Sequence, residues 1–282
     1  MRKTLKVERT QEGIVLIGGI AYARVITWFD ATMRDLKMDI LMPKQRDGHA
    51  PCPTILWFCG GAFKEMNRTV WMPQMVSFAR RGYVVVSAEY RTSNEKPFPA
   101  PLEDAKAAVR FLKAHAGEFC VDADRIAVAG ESAGGTIASL VGVTAKHREF
   151  DVGDNLDFDS SVRAVVDYYG LTDMTLPLAD SGEDSPVPGW CMEAFLNYRR
   201  KESDRASAVN YIDGTTPPFM ILHGGDDPLV SIQNSEVLYD KLIANGCHAE
   251  FYTVEGAGHG DDLFYQEPVM DLVDSFLKRE MA

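Results

Sequence analysis

Short apolar runs that end at glycine or turn residues alternate along this chain with stretches of helical periodicity. Residues 54–58 (Thr-Ile-Leu-Trp-Phe) run into Gly60-Gly61, and residues 83–88 form a second run. Neither run alternates apolar with polar residues, which is typical of strands that are covered on both faces. Between residues 102 and 114 the apolar side chains recur every three or four positions, as in an amphipathic helix. This alternation predicts an α/β fold, with a central, mostly parallel sheet and flanking helices.

The same reading places further strands and helices along most of the chain. Strands are predicted at residues 14–26, 36–42, 125–129, 162–169, 219–222 and 250–254, and helices directly after residue 135 and over residues 268–278. The run at 36–42 alternates roughly in and out and stops at Pro43, which favours an early antiparallel strand.

One long segment interrupts the alternation. From about residue 173 to 216 the chain is first rich in Asp, Ser and Pro, up to Pro188, and then helix-like from Trp190 to Arg200. A connection of this length inside a compact domain is usually a lid or a binding element, although a surface excursion that packs one helix is the alternative. We therefore expect a single domain over residues 1–282 with a lid-like insertion at about 173–216.

The net charge and the cysteine content limit which binding partners and which cellular compartment the chain is expected to have. The net charge is -12, with 41 acidic against 29 basic residues, and the longest basic run is Arg199-Arg200-Lys201. Nucleic-acid binding requires a clustered basic surface, so we expect no nucleic-acid partner, and the same charge disfavours an anionic membrane surface. The sequence predicts neither a signal peptide nor a membrane span, and a periplasmic or secreted form that has lost its leader is the alternative. The five scattered cysteines show no metal-binding spacing, which predicts reduced thiols in a cytoplasmic protein of unknown oligomeric state.

The motif that points to chemistry is Gly130-Glu131-Ser132-Ala133-Gly134, which has the form G-x-S-x-G. It lies between a predicted strand and a predicted helix. In such a tight turn a Cβ at the flanking positions would clash with the strand and the helix, and the serine is held in a strained conformation with its hydroxyl exposed at the sheet edge. Ser132 is therefore a candidate nucleophile. A glycine-rich turn with an incidental serine is the alternative.

A serine hydroxyl needs a base within hydrogen-bond reach, and the base needs a carboxylate that holds its tautomer. Of the six histidines, His259 follows the last predicted strand, at the edge where Ser132 emerges; His223 is the rival. The carboxylate is expected after the next-to-last strand, where Asp226 and Asp227 are adjacent. We predict Asp227, the one nearer the following proline, over Asp226. The two aspartates after His259 are too close in sequence to reach its ring.

Fixed N–H donors would have to hold the oxyanion of a tetrahedral intermediate. One candidate is the amide of Ala133; the others are expected in Cys59-Gly60-Gly61-Ala62-Phe63, where an ordinary turn is the alternative. No phosphate-cradling or metal-binding motif rises above background, so we expect no cofactor and no metal. Several aromatic residues could line a pocket for an acyl or aryl group or belong to the core: Trp28, Phe63, Trp71, Trp190, Phe195 and Tyr198.

Taken together, these motifs resemble the esterase/lipase branch of the α/β-hydrolase superfamily, which includes hormone-sensitive-lipase-like and bacterial feruloyl- or acetyl-esterase-like enzymes. The resemblance implies a serine carboxylic-ester hydrolase that acts through an acyl-enzyme on short-chain acyl esters, among them acetyl or hydroxycinnamoyl esters of carbohydrates. It also implies Gly61, Ala62 and Ala133 as the oxyanion donors. The matching stretches follow the family order: residues 59–63, 82–86, 89–91, 97–104, 130–135, 223–230 and 256–259.

The chain departs from that family at one place and leaves two other functions open. Such enzymes usually carry His-Gly-Gly-Gly, whereas Cys59 and Ala62 replace the first and fourth residues here, so any brace from the histidine side chain is lost. A serine peptidase of the prolyl-oligopeptidase type shares the core but usually carries a large propeller before it, for which the stretch before Gly60 is short. A non-catalytic receptor with this fold typically loses a member of the Ser-His-Asp set.

Overall fold

The strands join into one eight-stranded sheet. The computed structural model describes residues 1–8, 10, 13–28, 30–44, 50–178 and 189–282. Every run that the sequence analysis assigns to a strand lies in this sheet. The strands are β1 (Ile14–Thr27), β2 (Thr32–Pro43), β3 (Cys52–Phe58), β4 (Val84–Ala88), β5 (Val121–Glu131), β6 (Ala164–Tyr168), β7 (Phe219–Gly224) and β8 (Ala249–Val254).

The sheet is antiparallel at one edge and parallel elsewhere. Its order is β1-β2-β4-β3-β5-β6-β7-β8. β1 pairs with β2, and β2 with β4, in antiparallel fashion, whereas the pairs from β4 through β3 to β8 are parallel. The prediction of a mostly parallel sheet with an early antiparallel strand is confirmed. Because parallel neighbours all end at the same edge, the loops after β3, β5, β7 and β8 meet there.

Helices cover both faces of this sheet. The core divides into two clusters, one that includes α2, α3 and α6 and one that includes α1 and α7. No helix among the described residues is both long and apolar enough to cross a membrane. The helices are α1 (Met72–Arg80), α2 (Ala100–Ala114), α3 (Ala133–Val143), α4 (Trp190–Phe195), α5 (Ser203–Ala206), α6 (Gln233–Ala244) and α7 (Glu267–Glu280).

Strand β3 shows why its sequence is apolar without alternation. Leu56 and Phe58 point into the cluster with α2 and α3, and Ile55 and Trp57 point into the cluster with α1 and α7. None of these four side chains is more than 2% exposed. Burial of a side chain of this size stabilises the fold by about 1.5–3 kcal/mol, so both faces of the strand contribute to the core.

Three features differ from the sequence-based expectation or lie beyond it. Helices α1 and α6 were not predicted. The helix expected from Trp190 to Arg200 ends at Phe195, because Asn197 and Tyr198 both have a φ of 55°, a left-handed conformation that no right-handed helix can include. Residues 179–188 of the predicted insertion lie outside the described part of the chain.

Candidate active site

Ser132 occupies a sharp turn between β5 and α3. Its φ of 55° and ψ of -122° are unusual for a residue with a side chain, and such strain costs roughly 1–3 kcal/mol. Its amide donates to the carbonyl of Tyr168 at 2.9 Å. A Cβ on Gly130 would lie 2.4 Å from the carbonyl oxygen of Gly134, and one on Gly134 would lie 2.0 Å from that of Phe58. The turn therefore needs glycine at both places, as its motif predicts.

The three residues proposed from the sequence lie in one hydrogen-bonded chain. Nε2 of His259 is 2.9 Å from Oγ of Ser132, and Nδ1 of the same ring is 2.8 Å from Oδ2 of Asp227. The Asp227 side chain is 1% exposed and that of His259 is 12% exposed. The carboxylate is thus shielded from water, while the imidazole keeps limited access to the surface above Ser132.

Asp227 is held as a carboxylate by its partners. Burial by itself would raise its pKa, but the hydrogen bond and charge of His259 act against burial, as do the amides of Leu229 and Val230. These two amides donate to Oδ1 at 2.8 and 3.0 Å. The net result is a pKa of Asp227 below the usual aspartate range. A charged carboxylate at Nδ1 favours the tautomer whose Nε2 is free to accept a proton.

His223, the rival base, has its Nε2 3.5 Å from Oδ2 of Asp227, but its described hydrogen-bond partners are Ser235 and Val230, not Ser132. Its ring is fully buried between the Ser235 hydroxyl, 2.7 Å from Nδ1, and the Val230 carbonyl, 3.0 Å from Nε2. Burial lowers the pKa of His223, which keeps the ring neutral. Its contacts connect β7 to α6 and to the loop that carries Asp227, so it supports that loop.

The rival carboxylates also lie apart from the imidazole. Asp226 is exposed on the surface, although it is adjacent in sequence to the buried carboxylate of Asp227. Asp261 accepts a hydrogen bond from the amide of Leu263 at 3.0 Å and caps a single helical turn.

The loop after β3, residues 59–63, passes beside Ser132 in a strained conformation. Gly61 has a φ of 136°, and Ala62 and Phe63 have φ values of 53° and 59°. A Cβ on Gly61 would lie 2.1 Å from the carbonyl oxygen of Glu65, so only glycine fits there. Of the three expected amide donors, Ala62 and Ala133 border the same cleft as Ser132, whereas Gly61 is not among the described residues that line it.

Cys59, the departure from the family pattern, is part of the core. It is 1% exposed, and its Sγ lies 3.8 Å from Oγ of Ser87. Burial raises the pKa of the Cys59 thiol to about 12, so the thiol stays protonated and unreactive at neutral pH. The hydroxyl of Tyr90 donates to the Cys59 carbonyl at 2.6 Å. A tyrosine thus fixes the backbone at the place where the usual histidine is missing.

A cleft of about 310 Å³, a volume that includes solvent at its mouth, opens next to Ser132. The insertion contributes Leu178, Cys191 and Met192 to its wall, which supports the expectation that the 173–216 segment is a binding element. Apolar wall residues from other segments are Leu171, Leu229 and Val230. None of these aliphatic positions was identified from the sequence, because a leucine or valine that lines a cleft has the same local pattern as one in the core.

The aromatic candidates divide between the cleft, the core and the surface. Phe63 lines the cleft and stacks on Phe195, with 3.9 Å between ring centroids. Trp71 is half-buried and stacks on Tyr265. Trp28 and Tyr198 are 54% and 70% exposed, and the side chain of Trp190 lies outside the described structure. Of the described candidates, Phe63 therefore lines the cleft, whereas Phe195 belongs to the core, which was the alternative left open for these residues.

A mostly parallel sheet, a strand–serine–helix turn and a Ser-His-Asp chain at the carboxyl edge define the class of α/β-hydrolases. A protein-family model agrees with this assignment: the model described as BD-FAE matches residues 38–242, and the chain belongs to that family.

Individual proteins give the same picture. "Probable carboxylic ester hydrolase LipM" of Mycobacterium tuberculosis is 32% identical over 216 residues, which cover 73% of this chain and 48% of LipM. The chain spans about half the length of the curated relatives it matches. The "Truncated form of carbohydrate esterase from gut microbiota" superposes with a TM-score of 0.80 at 23% identity, over 97% of this chain and 98% of that chain. The "Bifunctional GH43-CE" of Bacteroides eggerthii superposes with a TM-score of 0.78 at 28% identity, over 95% of this chain and 35% of that chain.

Proposed function

We propose that this chain is a serine esterase that hydrolyses short-chain acyl esters through a covalent acyl-enzyme. The observation that carries the proposal is the continuous relay of 2.9 Å and 2.8 Å contacts from Ser132 through His259 to Asp227. It opens into an apolar cleft, where an acyl group would be shielded from water. The name of LipM, a probable carboxylic ester hydrolase, also supports the proposal.

The reaction follows from the geometry in two halves. His259 takes the proton of the Ser132 hydroxyl through Nε2 while Oγ attacks the ester carbonyl carbon. The tetrahedral intermediate collapses, its C–O bond to the alcohol breaks, and His259 returns the proton to the departing alkoxide. Water then attacks the acyl carbon with the same base, the acid leaves and Oγ recovers its proton. Asp227 stabilises the imidazolium that forms in each half.

The amides of Gly61, Ala62 and Ala133 are the proposed donors to the intermediate's oxyanion, and Ala62 and Ala133 are the two that border the cleft. A well-aligned donor of this kind contributes about 3–4 kcal/mol at the transition state. The donors are backbone groups, so replacement of the usual glycine by Ala62 leaves the donor in place, provided that its left-handed backbone is held.

The cleft favours a compact apolar acyl group. Its aliphatic wall, with Leu171, Leu178 and Met192 among its members, presents no charged side chain of the described residues. The resemblance of the motifs to bacterial feruloyl- or acetyl-esterase-like enzymes favours sugars as the alcohol. We therefore propose acetyl and other short acyl esters of carbohydrates as the substrate class, with hydroxycinnamoyl esters as the larger acyl group to test. A cytoplasmic location and the lack of nucleic-acid and membrane partners stay predictions.

Two measurements test this function. Ser132→Ala should lose at least 95% of p-nitrophenyl acetate turnover and all labelling by a fluorophosphonate probe, because residual turnover without the nucleophile is small. Ser139→Ala, in α3 seven residues after Ser132, is the matched control and should keep both. A variant Ser132→Ala that turns over substrate like the wild type would contradict the proposal.

A hydrolysis panel then defines the substrate. It contains p-nitrophenyl esters of rising acyl length, methyl ferulate, acetylated xylan and a proline-containing peptide amide. We expect kcat/KM to be highest for short acyl esters. Preference for the peptide amide would replace the esterase by a peptidase, and an unlabelled wild-type protein that is inert throughout the panel would indicate a receptor.

A further inference from the structure

Both polar ends of the peptide unit between Cys59 and Gly60 are held by buried side chains. The carbonyl of Cys59 accepts from the Tyr90 hydroxyl at 2.6 Å, and the amide of Gly60 donates to Oε1 of Glu131. Tyr90 is fully buried and Glu131 is 7% exposed. This peptide unit directly precedes Gly61 and Ala62, so its orientation sets the direction in which the 59–63 loop leaves β3.

Glu131 is the residue before Ser132 and therefore belongs to the serine turn. Its Oε1 accepts a second hydrogen bond from Nε1 of Trp71 at 3.0 Å. A Cβ on Gly60 would lie 2.5 Å from Oε2, so the carboxylate is in direct contact with the loop backbone. One side chain thus joins three segments: the serine turn, the 59–63 loop and the start of α1.

Burial of a carboxyl group at this place is unfavourable and needs compensation. Burial raises the pKa of Glu131, and the Trp71 and Gly60 hydrogen bonds and the charge of His259 act in the opposite direction. The groups that act on this carboxyl, or on which its charge acts, are Cys59, Tyr90, Tyr169, His259 and Tyr265. The two hydrogen bonds to Oε1 need an acceptor, which a glutamine would also supply, so they do not by themselves need the negative charge.

The loop needs an external constraint because its conformation is locally unfavourable. Ala62 and Phe63 are consecutive residues in the left-handed region, each at a cost of roughly 1–3 kcal/mol. Two further bonds hold the far side of the loop: the Ser93 amide donates to the Phe63 carbonyl at 2.7 Å, and the Asn94 side chain donates to the Lys64 carbonyl at 2.8 Å. On the near side, the constraints are Tyr90 and Glu131.

Building on the proposed esterase function, we propose that Glu131 is a positioning residue: its Oε1 fixes the 59–63 loop to the serine turn, so that the amides of Ala62 and Ala133 stay aligned on one oxyanion. This role requires an acceptor oxygen at the position of Oε1, within hydrogen-bond distance of the Gly60 amide. It does not require the negative charge of the carboxylate. Together with Tyr90, Glu131 constrains the loop at the place where the usual histidine is missing.

Two conservative variants distinguish the effect of the length of the Glu131 side chain from the effect of its charge. Glu131→Gln keeps the side-chain length and the acceptor but removes the charge, and Glu131→Asp keeps the charge but withdraws the acceptor by one methylene. We expect Glu131→Gln to keep kcat for p-nitrophenyl acetate within about threefold, and Glu131→Asp to lower kcat by about 10- to 100-fold with KM nearly unchanged, since misplacement of a catalytic group by about 1 Å costs up to about 10²-fold.

The matched controls are Glu103→Gln and Glu103→Asp. Glu103 lies in α2, burial raises its pKa too, and it pairs with Arg91 at 3.3 Å instead of contacting the 59–63 loop. Both controls should keep wild-type kcat. Cooperative thermal unfolding is recorded for each variant. If Glu131→Asp does not fold, Trp71→Phe, which removes one donor to the carboxylate and preserves the stack on Tyr265, should lower kcat several-fold.

Three results would overturn the proposal. The first is wild-type kcat in folded Glu131→Asp or, where that variant is unfolded, in Trp71→Phe. The second is a Glu131→Gln variant as impaired as Glu131→Asp, which would assign the effect to charge. The third is a loss confined to KM, which would assign it to substrate binding. A wild-type protein without Ser132-dependent turnover would instead refute the proposed function, so the two failures are distinguishable.

Discussion

Replacement of Asp227 by asparagine tests the orientation of the imidazole with little change in packing. The asparagine side chain has the same shape as the aspartate, and its Oδ1 can still accept from the amides of Leu229 and Val230. Its Nδ2 then faces Nδ1 of His259 across the present 2.8 Å contact. Because Nδ2 donates, Nδ1 has to accept and the ring proton moves to Nε2. Nε2 would then donate to Ser132 instead of accepting its proton.

The expected loss is large because a wrong tautomer disables the base in both halves of the reaction. Substitutions of this kind lower kcat by about 10⁴-fold, which corresponds to about 5.4 kcal/mol at 1.36 kcal/mol for each factor of ten. The free energy of unfolding should change much less. The two amide bonds to Oδ1 remain, and the lost charge-assisted contact to the histidine is worth about 1.5–3 kcal/mol.

The assay compares Asp227→Asn with Asp226→Asn, the adjacent and exposed carboxylate. Initial rates with p-nitrophenyl acetate give kcat and KM, and urea unfolding confirms that both variants are folded. Asp226→Asn should keep wild-type kcat. If Asp227→Asn kept more than a tenth of kcat, or if Asp226→Asn were the impaired variant, the assignment of the orienting carboxylate would be wrong.

Three further predictions concern one buried acid of the sheet, one glycine of the serine turn and one residue of the cleft wall. Burial raises the pKa of Asp167 to about 7, although the hydrogen bond from the Gly170 amide acts in the opposite direction. Between the unfolded pKa of about 3.9 and 7 only the folded state holds the proton, so the free energy of unfolding falls as pH rises. Asp167→Asn should reduce this pH dependence in urea unfolding at pH 5 and 8, and an equal pH dependence in both proteins would contradict the prediction. Gly134→Ala places a Cβ 2.0 Å from the Phe58 carbonyl oxygen and should abolish fluorophosphonate labelling; normal labelling would show that the turn can relax. Met192→Ala widens the cleft wall and should shift kcat/KM towards longer acyl esters in a chain-length series, whereas an unchanged preference would place the acyl group elsewhere.

Local patterns were sufficient for most of the sheet and for the order of its elements. Strands β3 and β4 are apolar on both faces because helices cover both faces, and this burial leaves a signal within a single run of residues. α6 left no such signal, since its buried positions are the polar Asn234 and Ser235 together with Leu238 and Leu242. Its stability depends on partners in other segments, which a periodicity of apolar residues does not register.

The candidate site shows the same division. Ser132 was recognised because the turn around it forbids side chains at fixed positions nearby in the sequence. His259 and Asp227 were placed by their strand ends, and their 2.8 Å contact agrees with that placement, while their chemical roles stay predictions. Glu131 was read as a variable position of the motif, because its acceptor role arises only where the loop after β3 folds against the serine turn.

The amino-acid sequence by itself determined the strands, their order along the chain and the residues at the carboxyl edge of the sheet, because these follow from hydrophobic period and turn stereochemistry within short segments. Only the tertiary structure decided which aliphatic side chains line the cleft and which buried acid contacts the 59–63 loop. Those outcomes depend on distances of about 3 Å between residues far apart in the chain, and such distances are set by the packing of the whole sheet and its helices.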